Sequence, residues 1–186
     1  MSPDTPPLRL FPMISILRVA LLCLPFVSAA ASGAADLKPW TGSATPGLEL
    51  RDLDGRAHRL AEYRGKVVLV NFWATWCAPC RDEMPSIQQL KEKLAGKPFM
   101  VLAVNLDEPE ARIRKFLTQM KVDFTVLLDP GKTVARAWDA RILPASFVIG
   151  PDGRIHYSLV GDLDWSDDRV VSRISELLPV IKRLSD

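Results

Sequence analysis

Lys66-Val-Val-Leu-Val-Asn-Phe-Trp-Ala-Thr-Trp-Cys-Ala-Pro-Cys-Arg-Asp-Glu-Met-Pro85 places an apolar run, a Cys-x-x-Cys pair and the start of a helical pattern in direct succession. Residues 66–73 are β-rich and apolar on both faces, as the central strand of a covered sheet must be. Beyond Arg81, apolar residues recur at Met84, Ile87, Leu90 and Leu94. Those spacings predict a helix over 81–94, ended by Gly96. Cys77 therefore stands at or beside a helix N-terminus, where unpaired backbone N–H groups and the helix dipole stabilise a thiolate. Cys80, one turn on, can reach back and close a disulfide. The chemistry implied is dithiol–disulfide exchange.

Two plainer uses of the pair are weaker. A zinc knuckle needs four ligands at close spacing. Besides the pair, the sequence offers only Cys23, His58 and His156, isolated and far apart. A purely structural bridge across two residues closes a very short loop and constrains the unfolded chain little. No metal site and no cofactor is expected.

The 186 residues, 48% hydrophobic and 25% charged, suit one globular domain with an added N-terminal segment. Residues 1–35 read as a signal peptide, with Met13 as an alternative start. Arg9 and Arg18 precede a short apolar stretch at 19–27, and small residues fill 28–35. An uncleaved membrane anchor is the alternative. The apolar run falls short of the ~20 residues that span a bilayer, and Pro25 interrupts it. Leu22 ahead of Cys23 argues against lipidation, which normally follows a small residue. Cleavage is favoured, and it removes Cys23. Export, to a periplasm or an equivalent space, places Cys77 and Cys80 in an oxidising compartment. The net charge of +2 gives no sign of a nucleic-acid or membrane-surface binder. Membrane contact is expected only if the N-terminal segment is retained.

Residues 36–47, with Pro39, Gly42, Pro46 and Gly47, read as a linker, and 48–186 as the domain. Residues 48–51 and 57–60 form two short strands about an Asp-Gly turn. Strands follow at 99–106 and 124–128, and helices at 110–120 and 132–138. Residues 145–149 and 154–160 flank Pro151-Asp152-Gly153 as a hairpin, and a helix over 167–184 closes the chain. His58 and His156 are expected on strand surfaces. Strand–helix alternation before a terminal hairpin and helix predicts an α/β sandwich.

With the Trp76-Cys-Ala-Pro-Cys80 junction and Leu143-Pro144 ahead of a strand both in view, the chain resembles the thioredoxin superfamily. It is most similar to the exported TlpA/ResA-type branch, which includes the cytochrome c maturation thioredoxins. The resemblance runs from about Leu48 to the final helix. It implies a thioredoxin-like fold: a central mixed sheet flanked by helices, with an N-terminal β-hairpin extension. Pro85 sits where the superfamily's helix carries a kink-forming proline.

The resemblance implies roles position by position. Cys77 is the exposed nucleophile and Cys80 the buried resolving thiol. Pro144 is a cis-proline facing the cysteines, and Leu143 offers its backbone to an extended substrate strand. Trp76 packs beside the disulfide, and Ala78 and Pro79 tune the potential. One departure matters. Cytoplasmic-type thioredoxins keep a buried aspartate where this chain has Asn71, and its partner lysine is matched by Ala103. Glu83, three residues beyond Cys80 and so on the same helix face, matches the branch's glutamate. A carboxylate beside two sulfurs is partly desolvated, which raises its pKa toward a general-base range. A solvated first-turn acid favoured by the helix dipole is the simpler alternative. Trp138 and Trp165 suit packing better than a substrate groove, and Asp107-Glu108 reads as a solvated loop near the site.

The expected activity is thiol–disulfide exchange on protein disulfides. The branch implies a reductant, recharged by a membrane-bound electron donor, in cytochrome c or copper-site assembly. An oxidant is the rival, since direction depends on reduction potential. A thiol peroxidase shares the fold, but its Pro-x-x-x-Thr/Ser loop before the cysteine is lacking in Trp73-Ala-Thr-Trp-Cys77. A metallochaperone or binding module on this scaffold adds a histidine and a wider cysteine spacing, and neither is present.

Overall fold

The structure, a computed structural model, describes residues 36–180. The signal-peptide reading of 1–35 and residues 181–184 of the helix expected over 167–184 lie outside that range. Strand β1 is Lys38–Pro39, and the hairpin is β2 (Glu49–Asp52) with β3 (Ala57–Arg59). Asp52 shapes its turn by accepting from the Asp54 and Arg56 N–H groups, each at 2.9 Å. Gly55 supplies the left-handed φ of 80° the turn requires. Strand β4 (Val67–Trp73) has every residue buried, the polar Asn71 included, as its largely apolar run foretells.

β4 pairs in parallel with β5 (Phe99–Leu106), and β5 in parallel with β6 (Thr125–Asp129). On its other flank β4 runs antiparallel to β7 (Ala145–Ile149), and β7 antiparallel to β8 (Ile155–Val160). The hairpin joins through β2 beside β6, and β1 lies beside β8. The sheet order is β1-β8-β7-β4-β5-β6-β2-β3. It is the mixed sheet with a hairpin extension that the family resemblance implies.

Helices α1 (Ala78–Lys93), α2 (Glu110–Leu117), α3 (Thr133–Ala137) and α4 (Asp168–Ser175) flank it. Alternate residues of β4 feed two cores. Leu69 and Trp73 meet Met84, Ile87 and Leu90 of α1, Ile113 of α2 and Ile174 of α4. Val68, Val70 and Phe72 meet Val134 and Ala135 of α3, with Trp138 beyond its end. Each fully buried Ile or Leu there contributes ~1.5–3 kcal/mol.

Several boundaries differ from the periodicity reading. α1 begins at Ala78, before 81, because Pro79 lies in the first turn and gives up no hydrogen bond there. α2 ends at Leu117 as its last turn tightens, with Gln119 N–H donating to the Phe116 carbonyl at 3.0 Å. α4 stops at Ser175, ahead of Pro179, whose ring disfavours helix in the residue before it. The segment 36–47 is not all linker. Leu37 is buried, and Lys38 and Pro39 pair with Ser158 and Tyr157, so the folded unit begins before 48. His58 is also not a surface residue. It is buried, with Nε2 2.7 Å from Asp52 Oδ2 and Nδ1 2.5 Å from Tyr63 Oη.

Candidate active site

The end of β4 hands the chain to α1 through residues 74–77. Cys77 is the N-cap of α1, in extended conformation, and its Sγ accepts from the Cys80 N–H at 3.3 Å. The two cysteines form a disulfide, with their Cα atoms 5.3 Å apart. Cys77 is 6% exposed and Cys80 1%, so in the disulfide form Cys77 is buried rather than exposed, while remaining the more accessible of the two. Trp76 is 62% exposed, so it stands out beside the disulfide rather than folding over it. Ala78 and Pro79, in the first turn, are exposed as well.

The register brings a second segment to the same end of the sheet. Phe72 pairs with Ala145, so the residues just before β7 lie level with the exit of β4. The Leu143–Pro144 peptide bond there is cis. The Pro144 carbonyl accepts from the Gly161 N–H at 2.9 Å, and Gly161 holds a φ of 105°. Ile142 and Val160, which border this segment, are exposed like Trp76. Three large apolar side chains thus rim the disulfide end of the molecule.

Glu83 lies one turn beyond Cys80 and is 3% exposed. Its Oε1 accepts from Asn71 Nδ2 at 2.7 Å, and its Oε2 from Trp165 Nε1 at 3.0 Å and the Leu163 N–H at 3.3 Å. Burial raises the pKa of its carboxyl. The hydrogen bonds from Trp165, Asn71 and Leu163 favour the ionised form and offset only part of that rise, and the Asp162 charge adds to it. The outcome is a group held at about 7. A carboxyl there exchanges protons at neutral pH, as a solvated first-turn acid does not.

Asn71 sits between Ala103 on β5 and Ser146 on β7 in the register, and donates to Ser146 Oγ at 2.9 Å. The departure seen in the sequence therefore has a structural counterpart. At the position of the superfamily's buried aspartate stands an amide that reaches the Glu83 carboxyl.

The comparisons with known proteins agree with this arrangement. The AhpC/TSA family pattern matches residues 41–158. Thiol-disulfide oxidoreductase ResA of Geobacillus thermodenitrificans (strain NG80-2) is 37% identical over 126 residues, 68% of this chain and 72% of that protein. The chain belongs to the AhpC/TSA family, in its ResA-type branch. ResA of Bacillus subtilis (strain 168) is 32% identical over 155 residues, 83% of this chain and 87% of that one. Among solved structures, a candidate thiol:disulfide interchange protein DsbE from Chlorobium tepidum superposes with a TM-score of 0.67 at 32% identity, covering 76% of this chain and 99% of that one. As a ResA-type member, the chain is a thiol–disulfide oxidoreductase of thioredoxin-like fold.

Trp165 and Trp138 are packing residues, as read from the sequence, and Glu108 departs from its reading. Trp165 is fully buried, yet its indole N–H is a polar handle on Glu83. Trp138 packs against Phe72 and Phe147 on the opposite face. Glu108 is no solvated loop residue, since its side chain is 5% exposed and its carboxylate accepts three hydrogen bonds. Ser146, Leu163 and Glu108 carried no signal in the sequence beyond their polarity or their place in a loop. Among the described residues, no His, Cys, Asp and Glu cluster could hold a metal ion.

Proposed function

We propose that this oxidoreductase is an exported reductant of protein disulfides, with Cys77 as nucleophile and Cys80 as resolving thiol. The observation that carries the reading is a Cys77–Cys80 pair at a helix N-terminus followed, one turn on, by a buried carboxyl that titrates at about 7. In the reduced chain the Cys77 thiolate attacks one sulfur of a substrate disulfide. The S–S bond breaks, a mixed disulfide forms, and the expelled sulfur leaves as a thiolate that takes up a proton. Cys80 passes its proton to Glu83 and attacks the Cys77 sulfur. The second substrate thiolate departs, and the Cys77–Cys80 disulfide closes. Two electrons have moved to the substrate, and a two-electron donor must return them.

Trp76, the Leu143 backbone and the Pro144 ring hold the substrate strand, with Ile142 and Val160 extending the apolar rim on which it rests. Ala78 and Pro79, between the sulfurs, tune the potential. The likeness to ResA supports thiol–disulfide exchange, and the reductive direction is the part of the proposal that the midpoint potential tests. Cytochrome c or copper-site assembly is the setting we propose, with a membrane-bound electron donor, and residues 1–35 serve as the export signal. No helix of the described residues is long and apolar enough to cross a membrane.

Cys80→Ser tests the scheme. Without the resolving thiol, substrate proteins stay on Cys77 as mixed disulfides, so non-reducing gels of the exported fraction gain higher-mass adducts that collapse with reductant. An absence of adducts under every growth condition would refute the proposal.

A further inference from the structure

Glu108 is a buried carboxylate for which the exchange steps have no use. It follows Asp107, which holds a left-handed φ of 55°, on the loop between β5 and α2. Its Oε2 accepts from the Thr75 N–H at 2.6 Å and from Asn105 Nδ2 at 2.8 Å, and its Oε1 from the Thr75 hydroxyl at 2.5 Å. The nearest cation is the largely exposed Arg112 guanidinium, 3.8 Å away. Thr75 is two residues before Cys77, inside the turn that joins β4 to α1. Its carbonyl accepts from Arg81 at 3.3 Å, so both ends of the residue are gripped. The Cys77 N–H closes the turn on the Ala74 carbonyl at 3.2 Å.

The grip carries a cost. Asn105 turns its amide NH2 to Glu108, and its Oδ1 is left buried without a partner. An unsatisfied buried acceptor beside a buried carboxylate is uncommon in a folded chain and calls for a reason.

We propose that Glu108 is a positioning residue for Cys77. By holding Thr75 through both its N–H and its hydroxyl, it fixes the 74–77 turn. It thereby sets the Cys77 sulfur at the N-terminus of α1, against the Cys80 N–H, and aims Trp76 outward. The inference rests on Cys77 being the attacking cysteine.

Geometry and charge separate by substitution. Glu108→Ala removes every acceptor. Glu108→Gln keeps an oxygen for the Thr75 N–H and an NH2 that can donate to the Thr75 hydroxyl, so it preserves position without the charge. In the reduced full-length protein, Glu108→Ala lowers the iodoacetamide rate constant of Cys77 at neutral pH by about tenfold. The thiolate absorbance titration moves up by about one pH unit to match. kcat/KM for insulin reduction falls with it, and Glu108→Gln stays within about twofold of the parent on all three readouts. Peptide mapping of the parent is read first, and labelling at Cys80 ahead of Cys77 would overturn the nucleophile assignment, and the inference with it. With Cys77 labelled first, an unmoved titration and alkylation rate in Glu108→Ala would reduce Glu108 to a structural residue. Glu108→Gln as impaired as Glu108→Ala would show that the charge acts, and would equally overturn the proposal. If Glu108→Ala does not fold, Thr75→Val removes the hydroxyl contact alone. It then shows a drop of about threefold in alkylation rate, and a rate equal to the parent refutes the inference.

Discussion

Glu83→Gln in the oxidised protein isolates one titration, because the disulfide keeps both cysteines from ionising. Glu83 titrates at about 7 in the folded chain, against 4.5 for the ordinary carboxyl of the unfolded one. Below 4.5 both states hold the proton. Between the two values only the folded state does, so stability falls as pH rises, and above 7 the loss is complete. At 1.36 kcal/mol per pH unit the loss is about 3 kcal/mol. The glutamine cannot ionise and does not suffer it. Its NH2 would face the Asn71 NH2, but Asn71 can flip, with the Ser146 hydroxyl turning to donate in return. The substitution then costs about 1 kcal/mol at low pH. Urea denaturation of both oxidised proteins from about pH 4 to 8.5 provides the assay. The stability difference swings by about 3 kcal/mol in favour of the variant as pH rises, while groups common to both proteins cancel. A pH-independent difference would mean that Glu83 titrates normally, and the proton-relay argument would fail.

Trp165→Phe removes the indole N–H from Glu83 Oε2, a bond that favours the ionised carboxylate. The pH midpoint of the same stability difference, measured on this background, moves above 7. Asp129→Asn tests the entry to α3, on a strand separated from β4 by β5. Asp129 accepts from the Val134 N–H at 3.1 Å and the Ala135 N–H at 2.8 Å at the start of α3, so the variant loses about 1–3 kcal/mol in urea. It reduces insulin at the parent rate.

The strand, the junction and the first helix were legible because their signals are local. A short, valine-rich apolar run reads as a central strand, and a Cys-x-x-Cys pair ahead of an apolar stripe marks the helix start. The surroundings of Glu83 were half legible. Asn71 stood out as an amide where an acid was expected, but its pairing with Ser146 and its reach to Glu83 depend on sheet register. Trp165 joins Glu83 across 82 positions of sequence, and Glu108 meets Thr75 across 33, separations at which periodicity is silent. His58 read as the polar member of a short edge strand. Asp52 and Tyr63 bury it by supplying partners for both ring nitrogens, which no pattern of hydrophobicity records. The early end of α4 was written in Pro179, and an apolar stripe continuing past it concealed the stop.

The direction of electron flow is the core of the proposed function, and it rests on a single quantity. The midpoint potential of the Cys77–Cys80 pair, equilibrated against glutathione or dithiothreitol and read by alkylation, tests it most directly. A reductant requires a value below about −200 mV, at or beyond the range of the reductase-like dithiols, and that is the result predicted here. A value near −120 mV, typical of a strong oxidant, would contradict the account.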